Sequence, residues 1–335
     1  MAHQIEIIKG QAQTFYVGET PWHGLGTKLE NPPSIKEAIT FAGLNWNVST
    51  HQLSAHVQVG VDTEGQPIIK SVQAPAKAVI RSTDQSVLGV VGENYVPVQN
   101  ETAFDFFQPA VDAGLVSLET AGSLHNGKRI WILAKLIGQE TEIVEGDTVN
   151  PYVLLSNGHD GKCSIEVGPT AIRVVCQNTL SIAQRSSKLL KVRHTKNVEL
   201  GLLEIRAALD LQKNEFQASV KAMQRMAQFG VNTQNIKDYI KEVFEPEIRT
   251  RTTTADSAQK SYDNLNAKII PLFENGRGNT LPGVKNTMWS LYNGVTEYLT
   301  HEKGREIDNR IENLWFGASK KTSERAFEIA QKMAA

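Results

Sequence analysis

Cysteine is almost missing from this chain: its 335 residues include two, Cys163 and Cys176, each in a strand-like run. A disulfide-built scaffold is thereby excluded, and a reducing cytoplasm is the expected compartment, where a bridge between the two is disfavoured. The eight histidines are scattered, and neither His nor Cys recurs at zinc-finger spacing, so no metal is expected. His51 and His56, five apart in a strand-like stretch, fall on opposite faces. Long apolar runs are absent too: none approaches the roughly 18–20 residues that cross a bilayer, and no membrane partner is expected. The opening, Met1-Ala-His-Gln-Ile-Glu-Ile-Ile-Lys9, lacks the basic start, apolar core and cleavage site of a signal peptide. Nor is there an excess of either charge, with 35 Lys and Arg against 36 Asp and Glu. That balance argues against indiscriminate coating of DNA but leaves room for one local basic track.

What is present is an ordinary globular composition, and the length accommodates two domains, since single cores stop growing near roughly 250–300 residues. Ser34 and Glu37 have capping-box spacing and Gly43 supplies a stop, which predicts a short helix from Ile35. From Trp46 the pattern alternates, and a turn near Thr63–Pro67 predicts a hairpin, continued by strands at Ala78–Ser82 and Val87–Val91. Helical spacing returns over Val98–Gly114, with Ala103, Phe106, Phe107, Ala110 and Val111 on one side. Further strands are expected at Leu115–Ala121, Arg129–Lys135, Thr141–Val144, Tyr152–Ser156, Ser164–Val167 and Ala171–Cys176. The turn signal at Asn157–Lys162 reads as Asx-turn chemistry more readily than as a set of ligands. Asn178 is placed to cap a helix running through Arg185. From Val198 the pattern is helical, over Leu200–Phe229, Asn235–Val243, Ala255–Glu274, Thr287–His301 and Ser323–Ala335. The fold class is α+β: a mainly antiparallel sheet with packed helices over 1–195, then a helical domain over 196–335.

The stretch joining these two textures carries the functional signal. Between Glu166 and Glu199 there is no acid, whereas Arg173, Arg185, Lys188, Lys191, Arg193 and Lys196 supply six positive charges. Lys and Arg neutralise phosphates, and the Ser, Thr, Asn and Gln residues between Gln177 and Asn197 can hydrogen-bond to them, so nucleic acid is the expected partner. Single strands also need aromatic faces for their bases. The segment has none, so Tyr95, Trp131 or Trp22 must arrive from elsewhere in the fold.

Five motifs together resemble a known family across nearly the whole chain. They are Trp22-His-Gly-Leu-Gly26, Gly92-Glu-Asn-Tyr-Val-Pro-Val-Gln-Asn100, Arg173-Val-Val-Cys-Gln-Asn-Thr179, Met288-Trp-Ser-Leu-Tyr-Asn-Gly-Val-Thr-Glu-Tyr298 and Leu314-Trp-Phe-Gly317. The family is one of phage/plasmid-like proteins catalogued as a domain of unknown function. The resemblance implies a place on bacterial mobile elements and carries no established chemistry. The architecture is also similar, without residue-level alignment, to phage single-strand annealing proteins of the RecT and Redβ type, a likeness of fold alone. The expectation is a homo-oligomeric protein, needing no cofactor, that binds or anneals single-stranded DNA in recombination or replication.

Two rival readings stand beside it. One is an enzyme, a hydrolase or nucleic-acid-modifying protein, with a site built from His23, Asn94, Arg173, Asn178, Glu297 and His301. In that reading Asn293, Glu297 and His301 share a helix face at i, i+4 spacing, which a plain surface face explains equally well. His23 in its Gly-rich loop has no adjacent nucleophile, Gly24-Leu-Gly26 lacks the full phosphate-binding pattern, and Cys176 reads as a buried thiol. The other rival is a protein that docks a host factor through an exposed apolar patch on the helical domain.

Overall fold

The computed structural model of the chain describes residues 4–335 apart from Glu19, Trp22, His23, 174–177, 181–189, Asp210, Leu211, Thr253 and 305–309. A short antiparallel ribbon, β1 (Ile7–Ile8) and β2 (Gln11–Ala12), leads into β3 (Thr14–Val17) and β4 (Thr27–Leu29), which pair in parallel. Helix α1 (Ile35–Phe41) begins where the capping box places it: the Ser34 hydroxyl accepts from the Glu37 N–H, and the Glu37 carboxylate accepts from the Ser34 N–H. Such a cap is worth about 1 kcal/mol. Gly43, at φ +65°, ends the segment in a conformation that disfavours a side chain.

The predicted hairpin is a long arm. Strands β5 (Val48–Val61) and β6 (Pro67–Arg81) pair antiparallel, and β7 (Val87–Val91) joins the base of β6. The connecting turn is held by Asp62, whose Oδ1 accepts from the N–H groups of Glu64 and Gln66. Ala78, Val79, Leu88 and Val91 bury the base, while Val57, Val59, Ile68, Ile69 and Val72 stay exposed toward the tip.

The single helix expected over Val98–Gly114 is two short ones, α2 (Asn100–Asp105) and α3 (Gln108–Asp112). Pro109 has no N–H to donate to the Asp105 carbonyl, so the break falls where a helical hydrogen bond is lost. Their apolar side, Ala103, Phe104, Phe106 and Phe107, is buried in the same core as residues of the main sheet.

That sheet adds β8 (Val116–Leu124), β9 (Arg129–Leu136), β10 (Thr141–Val144), β11 (Asp147–Gly158), β12 (Ile165–Arg173), β13 (Asn178–Leu180) and β14 (Leu190–Val192). Its order is β13-β12-β11-β9-β8-β3-β4, with β10 on β11 and β14 on β12, and every pairing except β3 with β4 is antiparallel. Asn178 is not a helix cap but a strand residue, opposite Arg173. The rest of the helix expected to follow it lies outside the described residues.

The helical half comprises α4 (Val198–Leu209), α5 (Gln212–Gln228), α6 (Thr233–Arg251), α7 (Ala255–Asn275), α8 (Met288–Glu297), a π-helical turn (Tyr298–Glu302), α9 (Arg310–Trp315) and α10 (Ala318–Met333). The expected helix over Leu200–Phe229 is thus two, and α6 runs eight residues past Val243 in spite of Pro246. Every residue of α8 is buried. The two main cores interlock: Ile143, Val149 and Ala171 from the strands pack with the helices, while Val198, Leu202 and Ile205 of α4 pack with the sheet. The boundary expected at Thr195 falls between these exchanged elements.

Candidate functional site

Arg173, the first cation of the basic stretch, lies where no polymer can reach it. It ends β12 with its side chain fully buried, donating from Nε and Nη2 to the two carboxylate oxygens of Asp147, each at 2.7 Å. The same guanidinium donates to Asn279 Oδ1 and to the carbonyls of Arg277 and Gly278. Trp289 of α8 donates from Nε1 to Asp147 Oδ2 at 2.8 Å. A guanidinium satisfied in this way ties sheet to helices, and the expectation that it contacts phosphate is corrected.

Of the residues of the enzymatic reading, Asn178 lies opposite Arg173 in the β12–β13 register and His301 follows Glu297 by one turn. Arg173 and Glu297 do share this buried network: Arg277 accepts from Arg173 through its carbonyl and donates its N–H to Glu297. Burial raises the Glu297 carboxyl above its usual range, against the lowering effect of the Arg277 N–H and charge. Asn293 and Glu297 are not on a surface face, since all of α8 is enclosed, and Asn293 Nδ2 donates to the Trp289 carbonyl. His301 is half-buried in the π turn, and Asn94 is exposed on the turn after β7. The Asn178 backbone is in β13, and His23 and Cys176 lie outside the described residues. Cys163 is a free thiol just before β12, with burial pushing its pKa up rather than activating it.

Tyr95 is likewise engaged. Its ring stacks on His194, with centroids 4.8 Å apart, and its hydroxyl donates to the Gly158 carbonyl at 3.1 Å. One face of the half-buried Tyr95 ring is therefore taken by His194, and Trp131 is fully buried. Beneath Tyr95 is a histidine chamber. His159 is fully buried with Nε2 on Asn100 Oδ1 at 2.9 Å, and burial, assisted by the nearby His194, pushes its pKa down to about 3. His194 sits with Nδ1 toward the Val96 carbonyl at 3.3 Å and is also lowered by burial. These contacts join the Gly92–Asn100 motif to the turn after β11, where Asp160 Oδ1 accepts from the Lys162 N–H.

The remainder of the basic stretch behaves differently. Along β14 and the residues after it, Val192 and His194 turn inward while Lys191, Arg193, Thr195 and Lys196 face solvent, the alternation a half-buried strand imposes. Lys191 lies directly across from Glu166 in the β12–β14 register and pairs with it at 2.6 Å, yet its side chain stays 57% exposed. A groove of about 470 Å³ runs between β14 and α4, bordered by Lys191, Arg193, Thr195, Asn197, Leu200 and Glu204. Arg185 and Lys188 lie outside the described residues.

Sequence reasoning missed the partners that decide these outcomes. Glu166 sits on the far side of the acid-free stretch, and only strand pairing brings it to Lys191. Asp147, Trp289 and Asn279 come from three separate elements or loops, with no local spacing to reveal them. Phe316, in the Leu314–Gly317 motif, holds the Arg129 guanidinium over its ring at 4.0 Å, and its place in that motif was the only signal available.

No curated protein and no solved structure matches this chain. The expected likeness to annealing proteins is thus not confirmed by either comparison. The family model described as Domain of unknown function (DUF932) matches residues 87–321, well over half of the length and including four of the five motifs. The chain belongs to the DUF932 family.

Proposed function

We propose that this protein binds nucleic acid, single-stranded DNA above all, along the groove between β14 and α4, as a self-associating annealing or binding protein of a mobile element. The observation that carries this reading is the pair Lys191 and Arg193 on the groove wall, with Thr195 and Asn197 as neutral donors beside them and Lys196 exposed next to the groove. Cations so placed neutralise phosphates, and hydroxyl and amide groups fix the backbone between them. Arg173, buried against Asp147, takes no part. Leu200, 59% exposed on the groove wall, offers an apolar contact in place of a stacked aromatic.

The test is the full-length triple variant Lys191→Gln/Arg193→Gln/Lys196→Gln, compared with the unaltered chain by fluorescence anisotropy on a labelled single-stranded oligonucleotide. Affinity is expected to fall at least about tenfold at low salt, since each phosphate contact adds an electrostatic contribution. Unchanged affinity in a folded variant contradicts the assignment.

One further observation favours a second reading. Leu200 and Leu203 are both more than half exposed on α4, 59% and 58%, an apolar pair that would suit docking of a partner protein. Leu203→Ser, outside the groove lining, should then abolish partner capture while leaving oligonucleotide affinity intact.

A further inference from the structure

The β5–β6 arm leaves one edge without a strand beside it. The order of its sheet is β5-β6-β7, so β5 is an outer strand, and among the described residues no strand pairs with its other side. Its 14 residues extend about 45 Å at the usual rise of a strand. At the base the Gln99 side chain stands in for a neighbour, accepting from the Val48 N–H and donating to the Val48 carbonyl, each at 2.9 Å. Farther out the arm leaves the body of the protein: from Ser54 to Gln73 every residue except Gly60 is exposed.

An exposed edge is a template for another chain, and proteins ordinarily blunt it with charge, proline or shortness. The other edges of this sheet are treated so. β7 has five residues and packs at Gly89 against the Asp160 backbone, where an added Cβ would lie 2.6 Å from the carbonyl oxygen. Toward the tip, where β7 no longer flanks it, β6 carries Pro67, Lys70 and Pro75. β5 has none of these protections: it contains no Asp, Glu, Lys, Arg or Pro, and Val57, Val59 and Val61 near its tip are 46%, 58% and 61% exposed.

That composition selects the partner. A strand free of Asp, Glu, Lys and Arg meets its own copy with no like-charge pair of those residues across the ladder, and antiparallel pairing of one strand with itself needs only a two-fold axis. Centred near Val57, the overlap sets the tip of each arm beside Gln52 of the other, one strand from Lys77, so the tip acids Asp62 and Glu64 approach a base of opposite charge. Each β5 edge is then consumed by the other, which closes the assembly at two chains.

We propose that β5 pairs antiparallel with β5 of a second copy of this chain, joining two three-stranded arms into one continuous sheet. The dimer supplies the self-association proposed above but does not rest on nucleic-acid binding, and its test uses no oligonucleotide. Size-exclusion chromatography with light scattering on the full chain, at up to about 100 μM, should give twice the mass of one chain. Val57→Lys/Val59→Lys, which sets like charges across the two-fold, should raise the concentration of half-dissociation at least about tenfold. Val57→Thr/Val59→Thr keeps β-branching and the backbone ladder, and should stay within about threefold of the parent. Both positions are exposed, so each variant should melt as the parent does. Lys191→Gln/Arg193→Gln/Lys196→Gln should leave the mass unchanged, which separates this contact from the β14 groove. A single-chain mass throughout overturns the proposal and leaves the edge to a strand of another protein. A dimer indifferent to the lysine variant overturns it too, as does equal loss in the threonine variant, which would mean packing of apolar faces in place of strand pairing.

Discussion

Arg173 and Asp147 face each other in a bidentate ion pair with both side chains fully excluded from solvent, Nε to Oδ1 and Nη2 to Oδ2 at 2.7 Å each. Asp147 opens β11 and Arg173 closes β12, so antiparallel pairing of those strands brings the two ends together. Trp289 and Asn279 then attach the helical half to the pair. Removing one member of a buried pair strands the other charge, which costs about 3–5 kcal/mol, while replacing both with apolar groups can be close to neutral. Asp147→Ala should therefore lower stability in urea unfolding by about that amount, and Asp147→Leu/Arg173→Met by clearly less than the sum of the singles. A loss under about 1 kcal/mol for Asp147→Ala would show that the pair does not hold the two halves together.

His159 gives the fold a pH dependence of defined sign. Its folded pKa, about 3, lies below the value of about 6.5 for an unperturbed histidine. Between those values the unfolded chain takes up a proton that the folded chain refuses. The contribution is fully present above about pH 6.5 and is lost as pH falls toward 3, at up to about 1.4 kcal/mol per pH unit. Thermal unfolding from pH 7.5 to 5 should show a steeper fall for the parent than for His159→Gln. Equal slopes would mean that His159 is not held neutral.

Gly294 of α8 sits tightly against the backbone of α7 at Phe273. A Cβ built there would lie 2.9 Å from the Phe273 backbone nitrogen and 3.1 Å from its Cα, atoms that cannot rotate away. Gly294→Ala should then destabilise by about 1–3 kcal/mol even though alanine is the better helix former. A stabilised variant in chemical denaturation would require the two helices to separate freely.

Much of the architecture was legible because its signals are local. The Ser34–Glu37 box, the Asp62–Gln66 turn and the start of α7 depend on residues within a few positions of one another. The buried state of α8 was also within reach: Met288–Glu297 carries one charged residue in ten, and a helix apolar or neutral all round belongs inside. Its polar i, i+4 set nonetheless fits an acid/base site and a plain surface face equally well on spacing alone. The basic stretch misled at Arg173 because linear charge counting ignores strand register, which places Asp147, 26 residues earlier, against it.

The most direct measurement of the nucleic-acid assignment is the salt dependence of single-stranded oligonucleotide binding to the full chain. Lys191, Arg193 and Lys196 acting on three phosphates predict that log K falls with log salt at a slope of about −2 or steeper, becoming shallower in the triple glutamine variant. A flat response, or no binding at about 50 mM salt, would contradict the assignment of this groove to nucleic acid.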